Sequence, residues 1–238
     1  MKIDFVIVST DDNTLYSEFW TVVENLWVNL IGIKPILVKI SDVNEIIHNN
    51  NSIIHNIKKI DGVDTGLQSQ IARMFVTKYY KDSVCLTSDI DMLPLSKNYF
   101  TSDIETLDND SMVIFSSDAY DQSNRYPICY NAAKGSLFSE ILQLDVSFEE
   151  YCKKLLEFDW GWGTDELYFG KMVNLYQNQN KIIKLKRGWR NGFANNRLDR
   201  QSWKYNPNSL STQFIDSHSL RPYSEHKSQI DKIVNLVL

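Results

Sequence analysis

The sequence has few cysteines, no long apolar run and no excess of positive charge. Its three cysteines, Cys85, Cys129 and Cys152, are far apart and match neither a metal-binding spacing nor a disulfide framework, which favours a reducing compartment. The 25 Lys and Arg residues stand against 30 Asp and Glu residues, and this argues against a nucleic-acid partner. No apolar stretch reaches transmembrane length, and Asp4 interrupts any signal-peptide core. We therefore expect a cytoplasmic protein, from a bacterium or from a virus acting in the host cytoplasm, with no transmembrane segment.

Strand and helix patterns alternate through the first half of the chain. Apolar residues predict buried strands at residues 5–8, 35–40, 84–87 and 112–115, and apolar residues at helical spacing predict a helix over residues 68–80. This alternation predicts an α/β sheet whose ligands bind beyond the carboxyl ends of its strands.

The second half is less regular. It predicts helices at residues 148–158, 165–176 and 229–236, and short strands at residues 182–185 and 214–216. Residues 187–212 show little periodicity, and the asparagine-rich residues 49–51 of the first half are expected to form a surface loop.

Two aspartates, Asp89 and Asp91, follow the predicted strand at residues 84–87. Alternate positions on an extended segment place both carboxylates on the same side. Carboxylate oxygens suit Mn²⁺ or Mg²⁺, and such an ion can bridge to a diphosphate. The alternative is a turn in which both side chains only cap backbone amides. The position directly after a buried strand favours the metal site.

Residues 70–74, Gln-Ile-Ala-Arg-Met, and residues 84–91, Val-Cys-Leu-Thr-Ser-Asp-Ile-Asp, resemble glycosyltransferases of the GT-A fold. The similarity is to the branch of glycogenin and the lipopolysaccharide galactosyltransferases, and to the small glycosyltransferase domain of chloroviruses. The resemblance implies a mixed central sheet flanked by helices, a Rossmann-like nucleotide-sugar-binding fold. It also implies a hexosyl- or pentosyltransferase of glycan biosynthesis, with a nucleotide-sugar donor such as a UDP-sugar and a glycan acceptor.

The length of the chain and the layout of its predicted elements indicate how it is divided. We expect residues 1–238 to form a single domain, in which residues 1 to about 131 bind the nucleotide sugar and residues 132–238 bind the acceptor.

Within the first half, the resemblance assigns roles to several donor-binding residues. Asp91 would be the main metal ligand, and Asp89 would share the metal or hold ribose and sugar hydroxyls. Ser88 would lie at the donor beside them, and Thr10 and Tyr16 would lie by the uracil.

Two arginines and a histidine complete the predicted donor site. Arg73 matches the family's Ala-Arg position, where a guanidinium can bridge Asp89 and a sugar hydroxyl or phosphate; the alternative is an exposed helix arginine. His218 can supply a nitrogen ligand to Mn²⁺, and Arg221 could hold the β-phosphate; the alternative is an ordinary loop histidine. The stretch from His218 to Tyr223 resembles the family's C-terminal histidine followed by a basic residue, proline and an aromatic residue.

Asn131 lies in residues 126–133, a stretch that resembles the family's strand ending in Asn-Ala-Gly, which faces the donor sugar. Its amide could bind sugar hydroxyls or simply form a turn. Trp160 and Trp162 alternate with glycines, an arrangement that lets a loop present indole faces on which an acceptor sugar could pack.

Asp165 and Glu166 follow this tryptophan loop at the start of a predicted helix, which Thr164 could cap. If the enzyme inverts the configuration of the sugar, it needs a general base, for which Asp165 is the candidate and Glu166 the reserve. The alternative is that both carboxylates only favour the helix start electrostatically.

Two other functions remain open at this point. A sugar-phosphate nucleotidyltransferase also uses a metal, but it normally begins with a glycine-rich, basic phosphate loop, whereas residues 9–12 are Ser-Thr-Asp-Asp. A carbohydrate-binding module without turnover would keep the same pocket residues.

Overall fold

The computed structural model of the protein describes residues 1–121, 124–158, 161–187, 189–190, 193–194 and 196–238. Its strands are β1 Phe5–Thr10, β2 Lys34–Ser41, β3 Glu45–His48, β4 Ile53–Lys58, β5 Val84–Thr87, β6 Met92–Pro94, β7 Met112–Ile114, β8 Asn131–Lys134, β9 Ile182–Lys184, β10 Trp189–Arg190, β11 Phe193–Ala194, β12 Arg197–Asp199 and β13 Asp216–His218.

The α-helices flank these strands. They are α1 Thr14–Ser17, α2 Trp20–Asn25, α3 Thr65–Phe75, α4 Lys97–Phe100, α5 Gly135–Leu142, α6 Phe148–Leu156, α7 Thr164–Leu175, α8 Leu210–Gln213 and α9 Tyr223–Val237. A π-helical turn spans Leu26–Ile31, and 3₁₀ turns span Val76–Tyr79, Ser102–Ile104, Gly161–Gly163, Gln179–Lys181, Arg200–Ser202 and Pro207–Ser209. In the part of the chain that the structure describes, no helix combines the length and the apolar character needed to cross a membrane.

The central sheet has eight strands in the order β3-β4-β2-β1-β5-β8-β7-β9. Strand β1 lies parallel to β2 and β5, and β2 lies parallel to β4. Strand β8 runs antiparallel to both of its neighbours, β5 and β7. The carboxyl ends of four parallel strands therefore meet at one edge of the sheet. The predicted mixed α/β sheet with flanking helices is confirmed.

Apolar side chains bury both faces of this sheet. In β1, Ile7 packs into the cluster under α3, α5, α6 and α7, whereas Val6 and Val8 pack into the opposite cluster, with Trp27 and α9. Continuous apolar runs are expected in parallel strands that are covered on both sides. Burial of this apolar surface is the main force that holds the helices on the sheet.

Two predicted helix boundaries differ from the structure. The helix predicted at residues 68–80, with Thr65 or Gly66 opening it, does start at Thr65, where the Asp64 carboxylate accepts a 2.9 Å hydrogen bond from the Leu67 amide, but it ends as a 3₁₀ turn after α3. The expected surface loop at residues 49–51 is the exposed turn of the β3–β4 hairpin, where the Asn49 amide donates to the Ser52 carbonyl at 3.0 Å. The closing helix begins at Tyr223, six positions before the predicted start at residue 229.

A second sheet of three strands, β12-β13-β6, positions the functional residues. Strand β13 lies between the other two, antiparallel to β6 and parallel to β12. The predicted strand at residues 214–216 is thus shifted, so that His218 lies within β13. Because the Ser219 amide donates to the Asp91 carbonyl at 2.9 Å, the backbones of Asp91 and His218 lie side by side.

Candidate functional site

A cleft of about 850 Å³ opens at the carboxyl edge of the central sheet. In α/β proteins, ligands bind in the crevice outside the carboxyl ends of the parallel strands, and the cleft lies there. The predicted site residues that line it are Thr10, Tyr16, Arg73, Asp89, Asp91, Trp162, Asp165, Glu166, His218 and Arg221. Residues far apart in the chain therefore meet in one cavity.

Two predicted site residues, Ser88 and Asn131, are placed outside the cleft. Ser88 is fully buried, and its hydroxyl donates to the Asp89 carbonyl at 3.3 Å. Asn131 is also fully buried, and its amide donates to the carbonyls of Pro127 at 2.8 Å and Ile128 at 2.9 Å. Neither side chain is part of the cleft lining. Trp160 lies outside the described residues.

Arg73 joins two carboxylates at the floor of the cleft. Its guanidinium is hydrogen-bonded to Asp89 and donates to Asp165 Oδ2 at 2.9 Å. The side chains of Arg73 and Asp165 are 10% and 2% exposed, so the alternative of an exposed helix arginine is wrong. Burial raises the pKa of Asp165, and Arg73 offsets part of this effect. A buried carboxylate needs such a partner to stay ionised.

Glu166 lies beside Asp165 but has its own partners. Its carboxylate accepts hydrogen bonds from Arg125 Nε at 2.8 Å and from the Tyr120 hydroxyl at 2.9 Å. Burial and the neighbouring Asp165 raise the pKa of Glu166 to about 7, although Arg125 opposes the shift. Two adjacent carboxylates therefore have different surroundings, which is a common arrangement in active sites.

The start of α7 holds these two carboxylates in place. The Glu166 amide donates to Asp165 Oδ1 at 2.8 Å, an electrostatically favourable position at a helix N-terminus. Thr164 is not the cap that the sequence predicted: it is the first helical residue, and its hydroxyl donates to the Gly161 carbonyl at 2.7 Å. A Cβ at Gly163 would lie 3.1 Å from Arg125 Nη2, so glycine here lets Arg125 approach the helix start.

Asp91 is the centre of a second charged cluster. Its Oδ2 lies 2.7 Å from Arg200 Nη2, 3.5 Å from Arg221 Nη1 and 3.6 Å from His218 Nε2. Burial alone would raise the pKa of Asp91, but His218, Arg200 and Arg221 hold it below its usual value. Asp91 is therefore a buried, ionised carboxylate facing three basic groups.

The imidazole of His218 is oriented by Asp199. His218 Nδ1 lies 3.2 Å from Asp199 Oδ2, which can accept its proton in a hydrogen bond, and Nε2 lies on the side of Asp91 and Arg200. Metal-binding histidines are commonly held by a carboxylate in this way. The Tyr16 ring lies 4.8 Å from the Arg221 guanidinium, which keeps that arginine at the same end of the cleft.

The predicted metal ligands fit a divalent ion in part. Asp91 and His218 offer an oxygen and a nitrogen that face each other, a donor pair suited to Mn²⁺. Asp89 instead points to Arg73. Among the described residues, no group of three or more His, Cys, Asp or Glu side chains is close enough to hold a metal ion. Two of the three predicted ligands therefore converge.

Several residues of the cleft were not predicted from the sequence, among them the side chains that pair with Glu166, Asp91 and His218: Tyr120, Arg125, Asp199 and Arg200. Arg200 and Asp199 fall within the aperiodic residues 187–212, and only the pairing of β12 with β13 brings them to His218. Asp199 does carry a local signal, since its Oδ1 accepts from the Gln201 amide at 2.9 Å and caps a 3₁₀ turn.

No family model matches the chain, and no curated protein matches it in sequence. Solved structures do match. The galactosyltransferase LgtC, in complex with donor and acceptor sugar analogs, is 10% identical with a TM-score of 0.54, and the match covers 98% of this chain and 96% of LgtC. A glycosyltransferase involved in the glycosylation of the major capsid of PBCV-1 is 11% identical, with 98% of each chain covered and a TM-score of 0.48.

The glycosyltransferase GlyE of Streptococcus pneumoniae is 12% identical with a TM-score of 0.46, and the match covers 78% of this chain. This chain spans 46% of the length of GlyE. A second structure of LgtC matches with a TM-score of 0.55 over 98% of this chain. The matches to LgtC confirm the predicted GT-A fold.

Proposed function

We propose that the protein is a metal-dependent glycosyltransferase that moves a sugar from a nucleoside diphosphate sugar, in particular a UDP-sugar, to a glycan acceptor. The proposal rests on two charged clusters that lie next to each other at the carboxyl edge of a GT-A fold. One cluster, around Asp91, is suited to a diphosphate, and the other, around Arg73, is suited to a sugar.

The size and position of the cleft support a donor of this class. Ligand pockets have volumes of roughly 300–1000 Å³, and this cleft of about 850 Å³ lies toward the upper end of that range, which suits a large donor such as a nucleotide sugar. Thr10 ends β1 and Tyr16 lies in α1 directly after it, and the uracil would be held between them. Tyr16 contacts Arg221, Arg221 faces Asp91, and Asp89, two residues before Asp91, bonds to Arg73, so the diphosphate and then the sugar would follow these contacts.

The diphosphate would lie against the Asp91 cluster. We propose that Asp91 and His218, with Asp89, hold a Mn²⁺ or Mg²⁺ ion, which neutralises the charge that develops on the departing diphosphate. Arg221 faces the same position from 3.5 Å and would bind a phosphate oxygen. Asp199 would keep the His218 lone pair directed to the metal.

The sugar would lie against the Arg73 cluster. Asp89, whose side chain is 36% exposed, offers carboxylate oxygens that accept hydrogen bonds from sugar hydroxyls, and Arg73, itself paired with Asp165, holds this carboxylate in place. A site that pairs buried polar groups with substrate hydroxyls discriminates strongly against analogues that lack them.

The acceptor would approach past Trp162. This indole is 68% exposed and lines the cleft, so a sugar ring could pack on it. The proposed acceptor half at residues 132–238 thus supplies Trp162, but it also supplies His218 and Arg221 to the donor side.

An activity assay tests the proposal directly. The full chain is incubated with a panel of UDP-sugars and Mn²⁺, and released UDP is measured with and without oligosaccharide acceptors. Acceptor-stimulated UDP release is expected. Formation of pyrophosphate from UTP and a sugar 1-phosphate would show a nucleotidyltransferase instead. Binding of sugars with neither reaction would show a carbohydrate-binding module.

A further inference from the structure

Arg200 occupies the position between the two converging metal ligands. Its Nη2 lies 2.7 Å from Asp91 Oδ2 and is also in contact with His218 Nε2. Asp91 and His218 are themselves 3.6 Å apart at the same atoms. Ligands at adjacent positions around Mn²⁺ or Mg²⁺ are ~3 Å apart, given metal–ligand distances near 2.1 Å. One guanidinium nitrogen therefore sits where these two ligands would hold a divalent ion.

The pairing of β12 with β13 places Arg200 at this contact. Asp199 of β12 lies opposite His218 of β13 in the parallel register, and Arg200 follows directly as the first residue of a 3₁₀ turn. Asp199 accepts from the Nδ1 side of the imidazole, while Arg200 approaches its Nε2 side. The two neighbouring residues thus hold both nitrogens of the same ring.

The hydrogen bonds of Arg200 are incomplete in this position. Its Nε and Nη1 are buried, and neither has a hydrogen-bond partner among the residues that the structure describes. A buried N–H donor without a partner lowers the stability of the protein. These N–H groups of Arg200 are therefore available to donate hydrogen bonds to a bound anion. Arg200 lines the cleft, and a phosphate group placed beside Asp91 could accept from those donors.

Arg221 differs from Arg200 in its position relative to the proposed metal ligands. It stands 3.5 Å from Asp91 and packs against the ring of Tyr16. It has no described contact with His218. Arg221 can therefore bind a phosphate from where it stands, whereas Arg200 has to leave its position before a metal can enter.

A divalent ion and a guanidinium cannot both contact the same carboxylate oxygen and imidazole nitrogen, because two cations at that separation repel each other strongly. We propose that Arg200 holds the cation position between Asp91 and His218 in the ligand-free enzyme, and that a divalent ion together with the diphosphate displaces its guanidinium onto the diphosphate oxygens. This inference rests on the proposed metal-dependent function. It makes the binding of metal and of diphosphate mutually dependent, since each favours the same movement of Arg200.

The test is direct Mn²⁺ binding to the full chain, measured by electron paramagnetic resonance of the free ion, with and without UDP. Without UDP, Arg200→Gln is expected to bind Mn²⁺ about tenfold or more tightly than the unmodified protein, because a charge-assisted hydrogen bond no longer has to be broken. With UDP, Mn²⁺ affinity should rise by a larger factor in the unmodified protein than in the variant. Arg200→Met, checked by thermal unfolding, serves as a second variant if Arg200→Gln does not fold.

Arg125→Gln is the matched control. It also removes one positive charge from the cleft, but Arg125 is paired with Glu166. Equal Mn²⁺ affinities in the unmodified protein and in Arg200→Gln would overturn the inference while leaving the metal site in place. An equal gain in Mn²⁺ affinity in Arg125→Gln would also overturn the inference, because the gain would then result from the change in net charge. If no variant binds Mn²⁺ even with UDP, the metal site itself is wrong; sugar transfer in EDTA would then show whether the glycosyltransferase proposal survives.

Discussion

Arg73 donates a 2.9 Å hydrogen bond to Asp165, a residue 92 positions later in the chain. This bond ties the last turn of α3 to the first turn of α7 across the floor of the cleft. Both side chains are almost entirely removed from solvent. The same guanidinium also bonds to Asp89. The ion pair therefore links the stability of the two halves of the chain to the geometry of the proposed sugar site.

Arg73→Met should destabilise the protein by about 3–5 kcal/mol, because it leaves Asp165 as a buried charge without its partner. Adding Asp165→Asn to this variant should recover part of the loss, with a coupling energy of about 1–3 kcal/mol. Urea unfolding of the two single variants and the double variant measures both quantities. Strictly additive effects would show that the two side chains do not interact in solution.

Asp91→Asn should abolish Mn²⁺-dependent UDP binding and leave the fold intact. The substitution removes both a ligand and a negative charge from the proposed metal site. Isothermal titration calorimetry with UDP, with Mn²⁺ and with EDTA, measures the effect. Asp110→Asn is the control, because Asp110 is an exposed aspartate that pairs with Lys134. Unchanged UDP affinity of Asp91→Asn in Mn²⁺ would contradict the assignment.

Asp199→Asn should weaken Mn²⁺ binding by about 10- to 100-fold, because partners that orient a metal-binding histidine typically contribute that much. His218→Ala should weaken it at least as far, since it removes the proposed ligand itself. Mn²⁺ titrations of both variants in the presence of UDP measure this order. If Asp199→Asn weakened binding more than His218→Ala, the carboxylate would act on the metal by another route.

The sequence predicted the parts of the site that follow a regular element. Asp89 and Asp91 come directly after a strand that is recognisable from its apolar run, and Arg73 lies on the helix before it. Local pattern is sufficient at these positions, because a strand end in an α/β sheet points to the ligand edge. Asn131 shows the limit of this reasoning: it also lies at a strand end, yet its amide is used by two backbone carbonyls.

The parts that the sequence did not predict depend on long-range pairing. Arg200 follows a three-residue strand inside an aperiodic segment, and it reaches Asp91 only through the register of β12 with β13. Tyr120 and Arg125 belong to an irregular stretch, and their contact with Glu166 depends on how α7 packs. No spacing within these segments carries that information.

The free energy of unfolding should depend on pH through the ionisation of Glu166. The pKa of Glu166 is about 7 in the folded protein and 4.5 without its environment, so the folded state binds the proton more tightly. The contribution of protonated Glu166 to the free energy of unfolding is complete below about pH 4.5 and is lost as the pH rises through about 7. Relative to Glu166→Gln, the free energy of unfolding should fall by about 2–3 kcal/mol between pH 5 and pH 8. Urea unfolding at both pH values measures it, and parallel pH profiles of the two proteins would refute the shift.

The last prediction concerns proton transfer, and the structure changes the order of the two candidates. Asp165, the first candidate from the sequence, has one oxygen bound by Arg73 and the other by the Glu166 amide. Its side chain is also only 2% exposed, whereas that of Glu166 is 18% exposed, so an acceptor hydroxyl reaches Glu166 more readily. Glu166 lines the cleft, and its pKa of about 7 is suited to a general base near neutral pH.

If the enzyme inverts the anomeric configuration, Glu166→Gln should therefore bind UDP-sugar normally and transfer at least about a hundredfold more slowly. In the unmodified enzyme kcat/KM should rise with pH through about 7, because the base must be ionised, and Glu166→Gln should lose that rise. Asp165→Asn should instead weaken donor binding, since it disrupts the Arg73 cluster. Rates and donor affinities measured separately distinguish the two roles. A product that keeps the configuration of the donor, or near-normal transfer by Glu166→Gln, would leave Glu166 as a partner of Arg125 and Tyr120 with no part in proton transfer.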